Sequence, residues 1–292
     1  MLKNILLFFS SFPDLGQIHF SEFGILDEPS IAQCLPFSNV AINLAGEQTA
    51  SRHFTLEDVN VDGARNIARA AREAGIERFV HVSALGADVD SPSAFLRSKA
   101  LGEEAVKEEF PEATIIRPSN IFGPEDNFIS RLADLSIKLP GPFPLLAMGE
   151  ASKAPVYVSD VAAGIVATLA DPAAVGTTYE FAGPKAYTME ELINYISAST
   201  RKPVTTIPIP DLATPAVMVA MRLAGMPRLK ILPNEEEFYQ YSVDDVVSKK
   251  SAGLGTLGVA QTQLESVGLT ILRRYRSHLY HDDIDALMDE AK

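Results

Sequence analysis

The chain has 292 residues, a formal net charge of −13 and a hydrophobic content of 47%, with a single cysteine, Cys34. That length supplies one large domain, or one and a half, with a sizeable core, and the acidic balance argues against nucleic acid or an anionic membrane as the main partner. One cysteine excludes an internal disulfide and a cysteine-based zinc site, so Cys34 reads as a small core hydrophobe rather than a nucleophile.

Ile5–Phe9 is apolar behind Lys3, too short for a signal-peptide core and without a small-residue cleavage site. The first arginine is Arg52, which does not suit an Arg-rich presequence. The segment reads as a buried strand. Gln17–Phe23 reads as a second strand and Asp27–Leu35 as a short helix. Val40–Leu44 is a continuous apolar run ending in Ala45-Gly46, the pattern of a buried parallel strand. Leu56–Ala74 is a strong helix with Val59, Ile67, Ala70 and Ala71 on one side and Gly75 as its stop. Arg78–Ser83 is a strand, Pro92–Glu109 a helix, and Ala113–Arg117 a strand stopped by Pro118. Val161–Leu169 reads as a helix and Thr178–Phe181 as a late strand.

The texture changes after Phe122. Leu139–Pro144 is an irregular proline-rich loop. Met189–Ser197 is helical with Thr188 as N-cap, and Pro203–Pro210 is extended. Thr214–Leu223 is an apolar helix, and Gln263–Tyr280 a final helix carrying Arg273, Arg274 and Arg276. Asp282–Asp285 is an acidic tail. No run of about 18 apolar residues occurs, so no transmembrane helix is expected. His53, His81, His278 and His281 show no metal-ligand spacing, so no metal is expected.

Strand–helix alternation at this spacing predicts an α/β fold, a Rossmann-type parallel sheet with helices on both faces. The predicted division is a nucleotide-binding domain over 1–120 and 154–184, and a smaller interleaved C-terminal lobe over 121–153 and 185–292. A dinucleotide-binding sheet opens with a strand and a glycine-rich turn at a helix N-terminus. No such turn lies in the first sixty residues. The sheet therefore reads as starting near its third strand, lacking the first strand and glycine-rich loop, and NADPH or NADH binding by this chain is expected to be weak.

Ligands of open α/β sheets bind beyond the carboxyl ends of the strands. Asn43–Gly46, Ser83–Gly86 and Pro118–Ile121 all lie at such ends. Asn43-Leu44-Ala45-Gly46 has the form of a turn under an adenine and ribose. Asn60-Val61-x-Gly63-x-x-Asn66 follows on the next helix, and Asn66 is expected to tie helix to strand through buried amide hydrogen bonds. Phe95 and Lys99 stand at i, i+4 on one helix face, twelve residues after Ser83. Lys99 has two readings: a surface lysine pairing with Glu103, or a nicotinamide-ribose contact. The predicted cofactor contacts are Asn43, Leu44, Ala45, Gly46, Ser83, Lys99, Pro118, Ser119, Asn120 and Ile121.

In combination these motifs resemble the extended and atypical short-chain dehydrogenase/reductases. In that family a Tyr-x-x-x-Lys pair with an upstream Ser carries proton transfer, the Lys lowering the Tyr pKa. Here Phe95 stands at the Tyr position, so Ser83, Phe95 and Lys99 read as a vestigial triad and no catalytic residue is expected. Further stretches are similar to one branch of the family: Asp14–Ile18, Phe95-Leu96-Arg97-Ser98-Lys99-Ala100-x-Gly102-Glu103, Ile121-Phe122-Gly123-x-Glu125-Asp126, Pro155-Val156-Tyr157-Val158-x-Asp160-Val161 and Leu272-Arg273-Arg274. That branch supplies a nucleotide-binding accessory subunit to mitochondrial complex I, the NADH:ubiquinone oxidoreductase. The resemblance implies a matrix-side, membrane-peripheral location among other complex I subunits, near the junction with the membrane arm. It also implies a structural NADPH or NADH that is not turned over. Two other readings stand beside it: an active dehydrogenase or epimerase on a nucleotide-linked or isoprenoid substrate, and a nucleotide-responsive assembly factor. The apolar helix Thr214–Leu223 and the arginines at 273, 274 and 276 read as a docking surface for a hydrophobic, partly acidic partner.

Overall fold

The computed structural model describes residues 4–9, 18–139, 141–210, 213, 235–248 and 251–276. The chain forms two compact units. The first takes Met1–Pro118, Val161–Phe181 and Val246–Val259, and the second Ser119–Asp160, Ala182–Asp245 and Ala260–Lys292. The segments expected over Thr214–Leu223 and Asp282–Asp285 lie outside the described residues.

In the first unit, β1 (Asn4–Phe9) and β2 (Ile18–Phe23) pair antiparallel as a two-stranded sheet, with Asn4 opposite Phe23 and Phe9 opposite Ile18. After α1 (Glu28–Cys34) comes the parallel sheet: β3 (Val40–Asn43), β4 (Arg78–Val82), β5 (Thr114–Pro118) and the strand Thr178–Phe181. Its spatial order is Thr178–Phe181, β5, β4, β3, so β3 is an edge strand among the described residues. Val40 is exposed there, where the continuous apolar run predicts a buried strand. The reason is pairing: β3 bonds to β4 along one side, and its residues alternate between exposed and buried. The register sets Asn43 opposite His81 and His81 opposite Ile115.

Helices pack on this sheet, among them Val158–Ala170, whose Gly164 lies against Phe181 and whose Thr168 carbonyl accepts from Arg78. α2 (Gly63–Glu73) is preceded by a π-helical turn, Asp58–Asp62, and followed by Gly75 at φ +73°. Val59, Ile67, Ala70 and Ala71 are all buried, as the helical spacing predicts. α3 (Ala94–Glu109) begins at Ser93, whose hydroxyl accepts from the Leu96 N–H at 3.0 Å. The core joins these elements through Ile67, Ala68, Phe79, Val106 and Ile115, with Phe79 and Phe110 ring centroids 5.4 Å apart. Cys34 belongs to the same core. Its thiol donates to the Ser30 carbonyl at 3.3 Å, and burial pushes its pKa up, which suits a packing role rather than a nucleophile.

The second unit is built from short strand pairs and helices. Ile121–Phe122 runs parallel to Val156–Tyr157, Ser152–Lys153 antiparallel to Tyr187–Thr188, and Phe143–Leu145 parallel to Thr206–Pro208. The last pair gives regular structure at both places where the sequence reads only as proline-rich loop or extended chain. Helices Ile129–Lys138, Met189–Thr200, Glu235–Ser242 and Leu264–Leu272 complete the unit. Thr188 closes a capping box with Glu191 at the start of its helix. The core mixes aliphatic and aromatic side chains, with Leu132, Leu135, Leu192, Ile196, Leu272 and Phe122 fully buried.

The final helix is shorter than the apolar pattern predicts, giving way to a 3-10 turn over Arg273–Tyr275. Arg274 donates to Ser130 Oγ at 2.7 Å, the Tyr275 hydroxyl to the Ser130 carbonyl at 3.1 Å, and Arg276 Nε to the Ser199 carbonyl at 2.8 Å. Two of the three arginines therefore fasten the turn to its own unit. No helix among the described residues is long and apolar enough to cross a membrane.

Candidate functional site

β3, β4 and β5 are parallel, so their carboxyl ends lie along one edge of the sheet. At that edge the first unit brings together the turn Asn43–Gly46, Ser83 and Lys99. Lys99 reaches the edge from α3. It is 5% exposed, and its Nζ donates to the Val82 carbonyl at 3.0 Å. A Cβ added at Gly46 would lie 2.9 Å from that Nζ, so glycine lets the turn meet the ammonium group without displacing the Lys99 side chain. Burial pulls the Lys99 pKa down to about 8, while the nearby Glu103 charge acts to raise it.

The surface-pair reading of Lys99 and Glu103 does not hold. Lys99 is buried against Val82, and both Glu103 carboxylate oxygens accept from Arg117, each at 2.8 Å. Arg117 on β5 is the better partner because its planar fork matches a carboxylate bidentately. The pair clamps α3 to β5 and so fixes the helix that carries Phe95 and Lys99. Phe95 is 8% exposed, its ring largely covered.

Two asparagines shape the turn. Asn43 Oδ1 accepts from the Ala45 N–H at 3.0 Å, and its Nδ2 lies 3.0 Å from His81 Nδ1. Asn60 Oδ1 accepts from the Glu47 N–H at 3.0 Å, while its Nδ2 donates to the Glu47 carbonyl and to Ser98 Oγ, both at 2.9 Å. Ser98 in turn donates to the Phe95 carbonyl at 2.8 Å. Sequence reading assigned the tie to Asn66. That side chain is half-buried and reaches the Ile25 carbonyl at a long 3.5 Å. The tie belongs to Asn60, buried in the π-helical turn. A π turn at Asp58–Asp62 leaves no mark in the apolar periodicity, so the sequence carried no signal for it.

The structure places Pro118 at the end of β5, where the Leu85 N–H donates to its carbonyl at 2.8 Å. Ser119, Asn120 and Ile121 belong to the second unit. There the Ser119 hydroxyl and the Asn120 amide both donate to Asp245 Oδ2, at 2.7 and 3.1 Å. The same carboxylate accepts from the Ala154 N–H and pairs with the buried Lys153 at 3.2 Å. Asp245 is a residue that sequence reading missed, since it stands 126 and 125 positions from Ser119 and Asn120, and 92 and 91 from Lys153 and Ala154.

His81 Nε2 and Ser83 Oγ are buried without a hydrogen-bond partner among the described residues. An orphaned hydroxyl at a strand's carboxyl end, beside a turn that Gly46 keeps open, suits the polar edge of a nucleotide. No three His, Cys, Asp or Glu side chains among the described residues come together as a metal-ligand set.

The model of the NAD dependent epimerase/dehydratase family matches residues 9–182. The chain belongs to that family. Within it, the resemblance to complex I accessory subunits is borne out. The chain is 41% identical to the mouse mitochondrial "NADH dehydrogenase [ubiquinone] 1 alpha subcomplex subunit 9" over 266 residues, 91% of this chain and 69% of the mouse protein. It is 35% identical to the protein of the same name from Arabidopsis thaliana over 271 residues, 90% of this chain and 67% of that one. Among solved structures, the UDP-glucuronic acid 4-epimerase of Bacillus cereus, in complex with UDP-glucuronic acid and NAD, matches with a TM-score of 0.60 at 17% identity, covering 86% of this chain and 79% of the epimerase. This likeness bears out the α/β, Rossmann-like parallel sheet of the epimerase fold.

Proposed function

We propose that the chain is a non-catalytic accessory subunit of mitochondrial NADH:ubiquinone oxidoreductase. It holds NADPH or NADH structurally and stabilises the ubiquinone-proximal part of the matrix arm. The observation that carries this reading is Phe95. It stands one helical turn before a buried, pKa-lowered lysine, the place where a phenol would donate its proton. Lys99 keeps the electrostatic half of a proton-transfer pair and has no hydroxyl to act on. The relatives named as subunits of the complex support the assembly role, and no membrane span is needed for a matrix-side subunit.

The turn Asn43–Gly46 would carry the adenosine side of the nucleotide. Ser83, Lys99 and Pro118, all of the first unit, would line its nicotinamide side. When bound, NADPH would supply a hydride, and the chain offers no group at position 95 to move the matching proton. Lys99 would donate to the ribose hydroxyls and Ser83 would satisfy its orphaned oxygen on the ligand.

Calorimetric titration with NADPH, run beside a hydride-transfer assay, tests this. The chain is expected to bind NADPH and to show no turnover on carbonyl or alcohol substrates. Phe95→Tyr restores a phenol beside Lys99 and should bring that hydroxyl's pKa below its usual value. Robust turnover by the unchanged protein would overturn the accessory role, and an absence of NADPH binding would overturn the structural nucleotide.

A further inference from the structure

His81 is a buried histidine that the nucleotide reading does not use. Its hydrogen bond to Asn43 has a direction that can be worked out. The Ala45 N–H can only donate, so the Asn43 atom facing it at 3.0 Å is Oδ1. The atom facing His81 Nδ1 at 3.0 Å is then Nδ2, a donor. Nδ1 must accept, and the imidazole proton sits on Nε2. That N–H is buried and unpaired among the described residues. Leaving a buried donor unpaired costs about 1–3 kcal/mol. A leucine would avoid that cost, but it would strand the Asn43 amide instead.

The strand register puts these groups in reach, since Asn43 stands directly opposite His81. From Asn43 the chain of contacts continues to the Ala45 N–H, and the turn then closes at Glu47, which Asn60 grips at both backbone groups. The turn is thus held at its two ends by two asparagines. One is oriented by His81 from β4, the other by Ser98 from α3.

We propose that His81 is a positioning residue for the Asn43–Gly46 turn: its Nδ1 accepts the Asn43 amide, orients the Asn43 carbonyl onto the Ala45 N–H, and so sets the backbone that meets the adenosine side of a nucleotide. The nucleotide part of this rests on the function proposed above. The turn-setting part does not. Because His81 acts through Asn43, its removal loosens one end of the turn and leaves the Asn60 end held.

The test combines three measurements on the whole chain. In a 15N-histidine spectrum, His81 should show an unprotonated Nδ1 and a protonated Nε2 between about pH 5 and 8. In His81→Leu, exchange of the Ala45 amide should rise by about tenfold, the loss of one hydrogen bond, while the Glu47 amide stays within about twofold. In His81→Gln, whose side-chain oxygen can accept from Asn43, Ala45 should return to near the wild-type rate. On titration with NADPH, the affinity read from the Ala45 amide shift should fall about fivefold in His81→Leu and recover in His81→Gln. A proton on Nδ1, an unchanged Ala45 rate in His81→Leu, or equal acceleration of amides throughout the unit would each overturn the proposal. The tautomer is read on the unmodified protein, so a variant that fails to fold leaves the test standing. If NADPH moves no amide of the wild type, the nucleotide reading falls, and the exchange comparison still decides whether His81 sets the turn.

Discussion

Burial beside the Lys99 ammonium pulls the His81 pKa down to about 3 from its ordinary 6.5. The sign of the consequence follows from proton counting. Between these values the unfolded chain carries a proton that the folded chain refuses, so stability is full above about pH 6.5 and is lost as pH falls toward 3. Between pH 7 and 5 this group alone should remove about 2 kcal/mol. Urea unfolding at both pH values should show that loss in the wild type and most of it gone in His81→Gln. Equal acid sensitivity in the two proteins would contradict the account. Lys99 acts at the alkaline end. Its folded pKa of about 8 lies below the ordinary 10.5, so stability rises with pH across that window. Phe95, Lys99 and Ser83 were legible in the sequence because their spacing matches the Ser and Tyr-x-x-x-Lys pattern of the family that the chain resembles. His81 was legible only as a packed strand residue. Its partner comes from another strand, and the 43–81 register is a tertiary fact.

At the scale of elements, the fit of α3 against the π-helical turn decides where Lys99 points. A Cβ at Gly102 would come within van der Waals overlap of the Asn60 carbonyl, a backbone atom that cannot swing away. Gly102→Ala should therefore cost about 2 kcal/mol or more and lower the melting temperature by several degrees. Because the strain falls on Asn60, the Glu47 amide should also lose exchange protection. A variant with wild-type melting would remove this contact from the account. The strands of the parallel sheet, α2, α3 and the Thr188 cap follow from apolar periodicity and capping residues, and the sequence shows them within a few positions. The sheet order was not readable. Val40–Asn43 carries the composition of an interior strand, yet among the described residues its pairing places it at the edge. The 3-10 turn after Leu272 was equally hidden, because it depends on Arg274 and Arg276 finding Ser130 and the Ser199 carbonyl across the fold.

Across the whole molecule, two units divide the chain, and family membership together with 41% identity to the mouse subunit frames what it does. The expected docking surface includes three arginines. Arg273 is exposed, whereas Arg274 and Arg276 hold their own unit together. Reversing all three charges should lower the melting temperature as well as any affinity for a partner. Arg273→Glu alone should leave stability within about 0.5 kcal/mol, which thermal melting would check. The central claim is that the protein works as a part of the respiratory complex and not as a free enzyme. Native-gel electrophoresis of gently solubilised mitochondrial membranes, probed for this chain, tests that most directly. The account predicts that the chain co-migrates with NADH:ubiquinone oxidoreductase activity. Migration of the whole population at the size of the free chain would contradict it.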